Sequence, residues 1–144
     1  MCQDTYIGGL DTTSLTLLWA MTEIVRNPRV MDKLQNEIRN AVGKNKLRVK
    51  PEDLERVPYL KMVIKEAMRL HPVDTLLIPR MTTAPIKIGM YDVLPGTMIY
   101  VNVWAIGRDP NFWDNPEEFY PERFESTEVD FRYKNNSVHK SSYQ

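Results

Sequence analysis

The chain is 144 residues long, carries 19 basic and 19 acidic side chains, and contains a single cysteine. That length is enough to bury one ordinary core, so size points to a single domain. Balanced charge gives no general pull toward nucleic acid or an anionic membrane, and one cysteine excludes an internal disulfide, which fits a reducing compartment.

The N-terminus, Met1-Cys2-Gln3-Asp4-Thr5, lacks the apolar region of a signal peptide. The longest apolar stretch, Leu15 to Met21, is interrupted by Thr16 and is too short to span a bilayer, so the chain reads as soluble. Ile7 to Arg26 is predicted to be a helix, with Leu15, Leu18, Trp19, Thr22 and Val25 recurring at helical spacing. Asn27-Pro28 breaks it and starts the next helix, Asn27 as N-cap and Pro28 at the first helical position. This second helix carries Met31, Leu34, Ile38 and Val42 on one side, and Gly43 is placed to end it. A basic, polar connection from Lys44 to Lys50 leads to a short helical turn at Pro51-Glu52-Asp53-Leu54.

Tyr59 to Leu70 is predicted to be a third helix, burying Leu60, Val63, Ile64 and Ala67, and His71-Pro72 ends it because a residue before proline avoids the helical region. The pattern then turns to alternation. Ile86-Lys87-Ile88 and Met98 to Trp104 read as strands, with turns at Gly89 and Pro95-Gly96. After Gly107 the chain meanders through Pro110, Pro116 and Pro121, with Phe112, Trp113, Phe119 and Phe124 between them. The tail from Tyr133 to Gln144 is polar and without periodicity, and is expected to be disordered.

Three short patterns carry the chemistry. Glu66-x-x-Arg69 places a carboxylate and a guanidinium three residues apart on the third helix, where they can meet. Helical angle sets Arg69 roughly opposite the apolar stripe, so the plain reading is a solvated pair contributing about 0.3 kcal/mol. Glu23-x-x-Arg26 has the same spacing. Gly8-Gly9-Leu10-Asp11-Thr12-Thr13 opens the first helix, and two adjacent helical glycines cost about 1 kcal/mol each relative to alanine. Three arrangements would offset that cost. Another backbone packs closely against Gly8 and Gly9; or Asp11 or Thr12 caps a helix that starts later; or the helix is deformed beside a ligand, with a hydroxyl and a carboxylate facing the gap. Pro121-Glu122-Arg123-Phe124, taken alone, is a turn followed by an aromatic anchor.

Together and in this order, the three patterns resemble the cytochrome P-450 family of haem-thiolate monooxygenases. Pro58-Tyr59-Leu60-Lys61, Leu70-His71-Pro72, Trp104-Ala105-Ile106-Gly107-Arg108-Asp109-Pro110 and Phe119-Tyr120-Pro121 resemble it too. The wording is most similar to plant microsomal members, enzymes of specialised metabolism, and the resemblance covers Asp4 to Arg132. It implies a mainly α fold with a small β component: a long distal helix, following helices, the Glu-x-x-Arg helix, a β-hairpin region and a meander. Residues 1–132 would form part of the catalytic domain, and 133–144 a divergent tail.

The resemblance also implies an activity: haem-dependent insertion of one oxygen atom into a small lipophilic substrate. Electrons would come from NADPH through a reductase partner at the cytosolic face of the endoplasmic reticulum, with no nucleic-acid partner. Gly8 and Gly9 would leave room for dioxygen above the haem, Thr12 would hydrogen-bond it, and Asp11 would help relay protons. Arg80, in Leu77-Ile78-Pro79-Arg80, would pair with a haem propionate, and Val73 to Ile78 would line the substrate pocket. Glu66, Arg69 and Arg123 would form a buried ion triad, architectural rather than catalytic.

The departures matter as much. The family's Phe-x-x-Gly-x-Arg-x-Cys-x-Gly loop, whose cysteine is the axial ligand, should follow Phe131, yet from Tyr133 onward there is neither glycine nor cysteine. Cys2 precedes the distal helix and would lie on the wrong side of the haem, so no residue is assigned as metal ligand. The membrane anchor and the reductase-docking helices have no counterpart either, and Gly89-Met90 replaces the more usual double glycine. The 144 residues are therefore expected to expose large apolar patches and to be inactive alone. Two alternatives stand beside this reading: a truncated, non-catalytic product, and a helical interaction module, which leaves the motif order unexplained.

Overall fold

In the computed structural model, residues 7–43 and 50–125 are described. The connection from Lys44 onward, except Lys50, and the tail from Tyr133 lie outside the described residues. The architecture is mainly helical with two small antiparallel sheets.

The first helix does not begin as an α-helix. Ile7–Asp11 forms a π turn, and α1 runs from Thr12–Arg26. Its predicted stripe is not the buried one: Ala20, Glu23 and Ile24 are buried, whereas Leu15, Leu18, Trp19 and Val25 are partly or largely exposed. The apolar stripe is real, but the face that packs on the described chain is offset from it, with Trp19 of the stripe reaching His71. Helix α2, Pro28–Val42, starts at Pro28 as the sequence suggests. Asn27 occupies the boundary, yet its side chain makes no bond to α2. It donates back instead to the Glu23 carbonyl at 2.8 Å and to Glu23 Oε2 at 3.2 Å, closing α1 rather than opening α2. Val30 and Leu34 bury α2 against the core with Met31 and Ile38 partly covered, and Gly43 ends it at φ +80°.

A single helical turn, α3 (Pro51–Leu54), leads into α4 (Pro58–Leu70), whose first amide is held by the Glu37 carboxylate of α2 at Tyr59 N. Helix α4 is covered on two sides. Val63, Ala67 and Leu70 pack in the apolar core, while Glu66 and Arg69 are buried toward the meander. Leu60 is only partly buried and Ile64 remains 36% exposed. The placement of Arg69 opposite the stripe is geometrically sound, but that side is covered by residues 107–124, so its solvated reading is corrected.

Strands β1 (Arg80–Met81) and β4 (Met98–Ile99) pair antiparallel, Arg80 opposite Ile99. Strands β2 (Ile86–Ile88) and β3 (Tyr91–Val93) form a hairpin turned by Gly89 at φ +59°. The predicted strand from Met98 to Trp104 stops at Ile99. Asn102 Oδ1 accepts from Ala105 N at 2.9 Å and caps α5, Val103–Ile106. A side-chain cap there outweighs the β preference of the valines. The chain then meanders to a 3₁₀ turn, Pro121–Phe124, which packs on α4.

Candidate functional site

The π turn bends the start of α1 and its hydroxyls fill the altered ladder. Thr12 Oγ1 donates to the Gly8 carbonyl and Thr13 Oγ1 to the Gly9 carbonyl, each at 2.7 Å. A Cβ built on Gly8 or Gly9 meets nothing within 4 Å, so close backbone packing is not what the glycines serve among the described residues. Asp11 makes no side-chain capping bond. Of the three arrangements open from sequence, the deformation of the third is present, with the Thr12 hydroxyl at a cavity edge but the Asp11 carboxylate outside its wall. Because each threonine spends its proton on a carbonyl behind it, the oxygen lone pairs stay available to a guest in front.

That guest space is a cavity of about 620 Å³ between α1, α4 and the segment after α4. Thr12, Thr13 and Thr16 edge it, and Leu17, Met68 and Ile106 are among its largely apolar walls. Val73, Asp74 and Leu77 contribute from the segment after α4. Asp11, Gly8 and Gly9 lie on the π turn beside it rather than in its wall. Arg80 stands exposed on β1. Among the described residues, no group of three or more His, Cys, Asp and Glu side chains is placed to hold a metal ion.

The floor behind the cavity is ionic. Glu66, fully buried, receives Arg69 Nε and Nη2 at 2.8 Å each, Arg123 Nε at 3.0 Å and the Tyr120 amide at 2.9 Å. Arg69 also donates to the carbonyls of Gly107, Pro116 and Glu118, and Arg123 to those of Asp114, Asn115 and Glu118. The two guanidiniums thus satisfy backbone acceptors that an irregular segment cannot pair for itself. Trp113 lies across both, 5.2 Å from Arg69 and 5.9 Å from Arg123. The other Glu-x-x-Arg is different. Arg26 lies 3.9 Å from Glu23 with its side chain 69% exposed, while Glu23 pairs instead with His71 Nε2 at 2.9 Å, and the imidazole stacks on Trp19.

Sequence reasoning passed over Glu122, the neighbour of Arg123. Its carboxylate receives Arg29 at 2.6 and 3.2 Å, Lys33 at 3.0 Å and the Tyr59 hydroxyl at 3.0 Å. No spacing rule links residues this far apart, so nothing local announces it. Burial alone would raise its pKa, but hydrogen bonds from Arg29, Lys33 and Tyr59 prevail and hold it at about 2. Burial and the same carboxylate push the Tyr59 phenol upward. A carboxyl held below its ordinary value contributes stability above that value and loses it as pH falls toward the folded one. The urea midpoint of the native chain is therefore expected to fall between about pH 4.5 and 2 more steeply than that of Glu122→Gln. Parallel profiles for the two proteins through that window would contradict this.

A helix broken beside an apolar cavity, backed by a helix locked to a meander through a buried Glu–Arg–Arg cluster, defines a class of protein built around that cavity. The class has a name: the chain belongs to the cytochrome P450 family, whose family model, described as Cytochrome P450, matches residues 1–144. It is 56% identical over 127 residues to cytochrome P450 71B20 of Arabidopsis thaliana, covering 88% of this chain and 25% of that relative. It is 50% identical to the 2-methylbutanal oxime monooxygenase of Manihot esculenta over the same shares. A zebra fish cytochrome P450 solved with progesterone superposes with a TM-score of 0.79 at 36% identity, over 86% of this chain and 29% of that one. The structure with abiraterone gives 0.81 at 36% identity, over 87% and 30%. The chain thus spans about a quarter of the length of the curated relatives it matches. Among its described residues no helix is long and apolar enough to cross a membrane.

Proposed function

We propose that the protein carrying this chain is a haem-dependent monooxygenase that inserts one atom of dioxygen into a small lipophilic substrate. Its electrons come from NADPH through a reductase, at the cytosolic face of the endoplasmic reticulum. The observation that carries this reading is the hydroxyl edge of Thr12 on a π-deformed helix, facing a cavity with almost wholly apolar walls. A relative named as an oxime monooxygenase supports the reaction class. The chemistry of the residues suits a porphyrin in two respects: the cavity offers apolar wall for a ring face, and Arg80, exposed on β1 outside that wall, is a guanidinium of the kind that pairs with a carboxylate. Bound haem supplies the activation of dioxygen.

This chain's residues supply the surroundings. Thr12 accepts and passes a proton at Oγ1, using Gly8 O as its resting acceptor, and Asp11 one residue earlier feeds that relay. The unobstructed Gly8 and Gly9 leave room at the turn. The apolar walls keep bulk water from the reacting atoms and Val73 to Ile78 bound the substrate. The triad of Glu66, Arg69 and Arg123 fixes the floor. A thiolate ligand has no counterpart among these residues other than Cys2, so residues 1–132 act as part of a catalytic domain and the 144 residues alone carry no turnover.

The test compares two proteins with haem, dithionite and carbon monoxide. The full-length protein is expected to give the thiolate-type Soret shift and the 144-residue chain none. A thiolate-type shift in the short chain, or its absence in the full-length protein, overturns the reading. In the full-length protein, Thr12→Val is expected to lower turnover on the order of a hundredfold with substrate binding unchanged. Undiminished turnover would remove Thr12 from the proton path.

A further inference from the structure

Adjacent residues of the 3₁₀ turn face opposite ways. Arg123 reaches the buried Glu66 of α4 and the carbonyls of residues 114, 115 and 118. Glu122 reaches the cations of α2, Arg29 and Lys33, and the Tyr59 hydroxyl at the start of α4. Its side chain is only 10% exposed, whereas Arg29 and Lys33 are about half exposed, so the carboxylate is the buried centre of this second cluster. The two clusters therefore grip one turn from both sides. A 3₁₀ turn has weak internal hydrogen bonding and does not fix its own rotation. What fixes it here is a charge-assisted bond at each flank.

We propose that Glu122 is a positioning residue: by holding the turn to α2 it aims Arg123 at Glu66, and so sets the cavity wall that carries Gly107 and Trp113. The path is continuous. Arg123 lies over Trp113, Trp113 Nε1 donates to the Ile106 carbonyl at 3.0 Å, and Ile106, Gly107 and Trp113 all line the cavity. Glu122 touches none of the cavity itself, so its effect there must pass through Arg123. Both partners of Glu122 on α2, four residues apart on one helix face, are like-charged and apart from this carboxylate rest on the rings of Tyr120 and Tyr59. The carboxylate thus removes a repulsion in α2 at the same time as it orients the turn.

The inference rests on the proposed function only where haem is the guest, so its test carries one readout without haem. In the full-length protein, Glu122→Gln keeps the shape and removes the charge. Chymotryptic cleavage between residues 107 and 120 is expected to quicken on the order of tenfold, and haem retention during gel filtration to fall by a similar factor. Arg123→Lys should have the same effect, and the double variant should be no worse than Arg123→Lys alone, because the two act in series. A general loss of stability would instead add in the double variant and quicken cleavage throughout the chain. Additive effects, or Glu122→Gln cleavage no faster than native, overturn the inference. If native protein retains no haem, the functional reading falls while the cleavage cycle still decides the role of Glu122.

Discussion

Replacing Glu66 by alanine is expected to cost the fold about 3–5 kcal/mol, most or all of what a chain this size has to lose. The carboxylate is fully buried and receives four N–H groups, three of them from guanidiniums. Its removal leaves two buried positive charges facing each other and strands the Tyr120 amide. Glutamine should fare little better, because its NH₂ group would point at a guanidinium. A buried ion pair can often be exchanged for apolar residues without loss. Here that exchange should fail, since Arg69 and Arg123 also satisfy the carbonyls of Gly107, Asp114, Asn115, Pro116 and Glu118. A Glu66→Leu, Arg69→Met, Arg123→Met protein is thus expected to unfold at a urea concentration no higher than Glu66→Ala. Urea midpoints for the three proteins decide it. A loss below about 1 kcal/mol for Glu66→Ala would mean the site is far more hydrated than its geometry implies.

The same cluster shows where sequence and structure part. Periodicity and proline placement were enough for α1, α2 and α4, because each is long, amphipathic and begins or ends at an Asn27-Pro28 or His71-Pro72 signal. Which face each would bury was less legible. A stripe reports that a partner exists, not where it comes from: Leu18 and Val25 carry the α1 pattern and stay exposed, while Glu23 is buried against His71. Arg69 lay on the wrong side for one neighbour and on the right side for a second, the meander, that no local pattern announces. The short elements failed for a different reason. A two-residue strand such as β4 is made by its partner β1, and α5 by one asparagine side chain, so Val101 and Val103 misled. At the candidate site, the paired glycines announced a cost to be offset and left three ways of offsetting it open. The hydroxyl-to-carbonyl bonds of Thr12 and Thr13 describe the form of the deformation. Glu122 left no trace at all, because the residues it binds are 63 to 93 positions away.

Gly107→Ala is expected to be nearly as damaging as the loss of Glu66, although it adds only one methyl group. Gly107 has φ −67°, a conformation any residue adopts, so its glycine is not there for backbone freedom. It is there for proximity. A Cβ would sit 2.5 Å from the Arg69 carbonyl oxygen and 3.3 Å from that of Val103. Both neighbours are backbone, and neither can swing aside as a long side chain would. The meander must therefore lift away from the end of α4, which also pulls the Gly107 carbonyl from Arg69 Nη1 and loosens the Trp113 wall of the cavity. Overpacking alone costs about 1–3 kcal/mol and a weakened charged hydrogen bond adds to it, so a total near 3 kcal/mol is expected. Gly43→Ala makes the informative control. That glycine has φ +80° and ψ 152°, a region essentially reserved for glycine, and open space around it, so alanine there meets only conformational strain of about 1–3 kcal/mol. Urea unfolding of both variants separates proximity from freedom. If Gly107→Ala costs less than about 1 kcal/mol, the contact between the meander and the end of α4 is looser than the geometry states. The ionic floor would then have to hold the cavity wall without it.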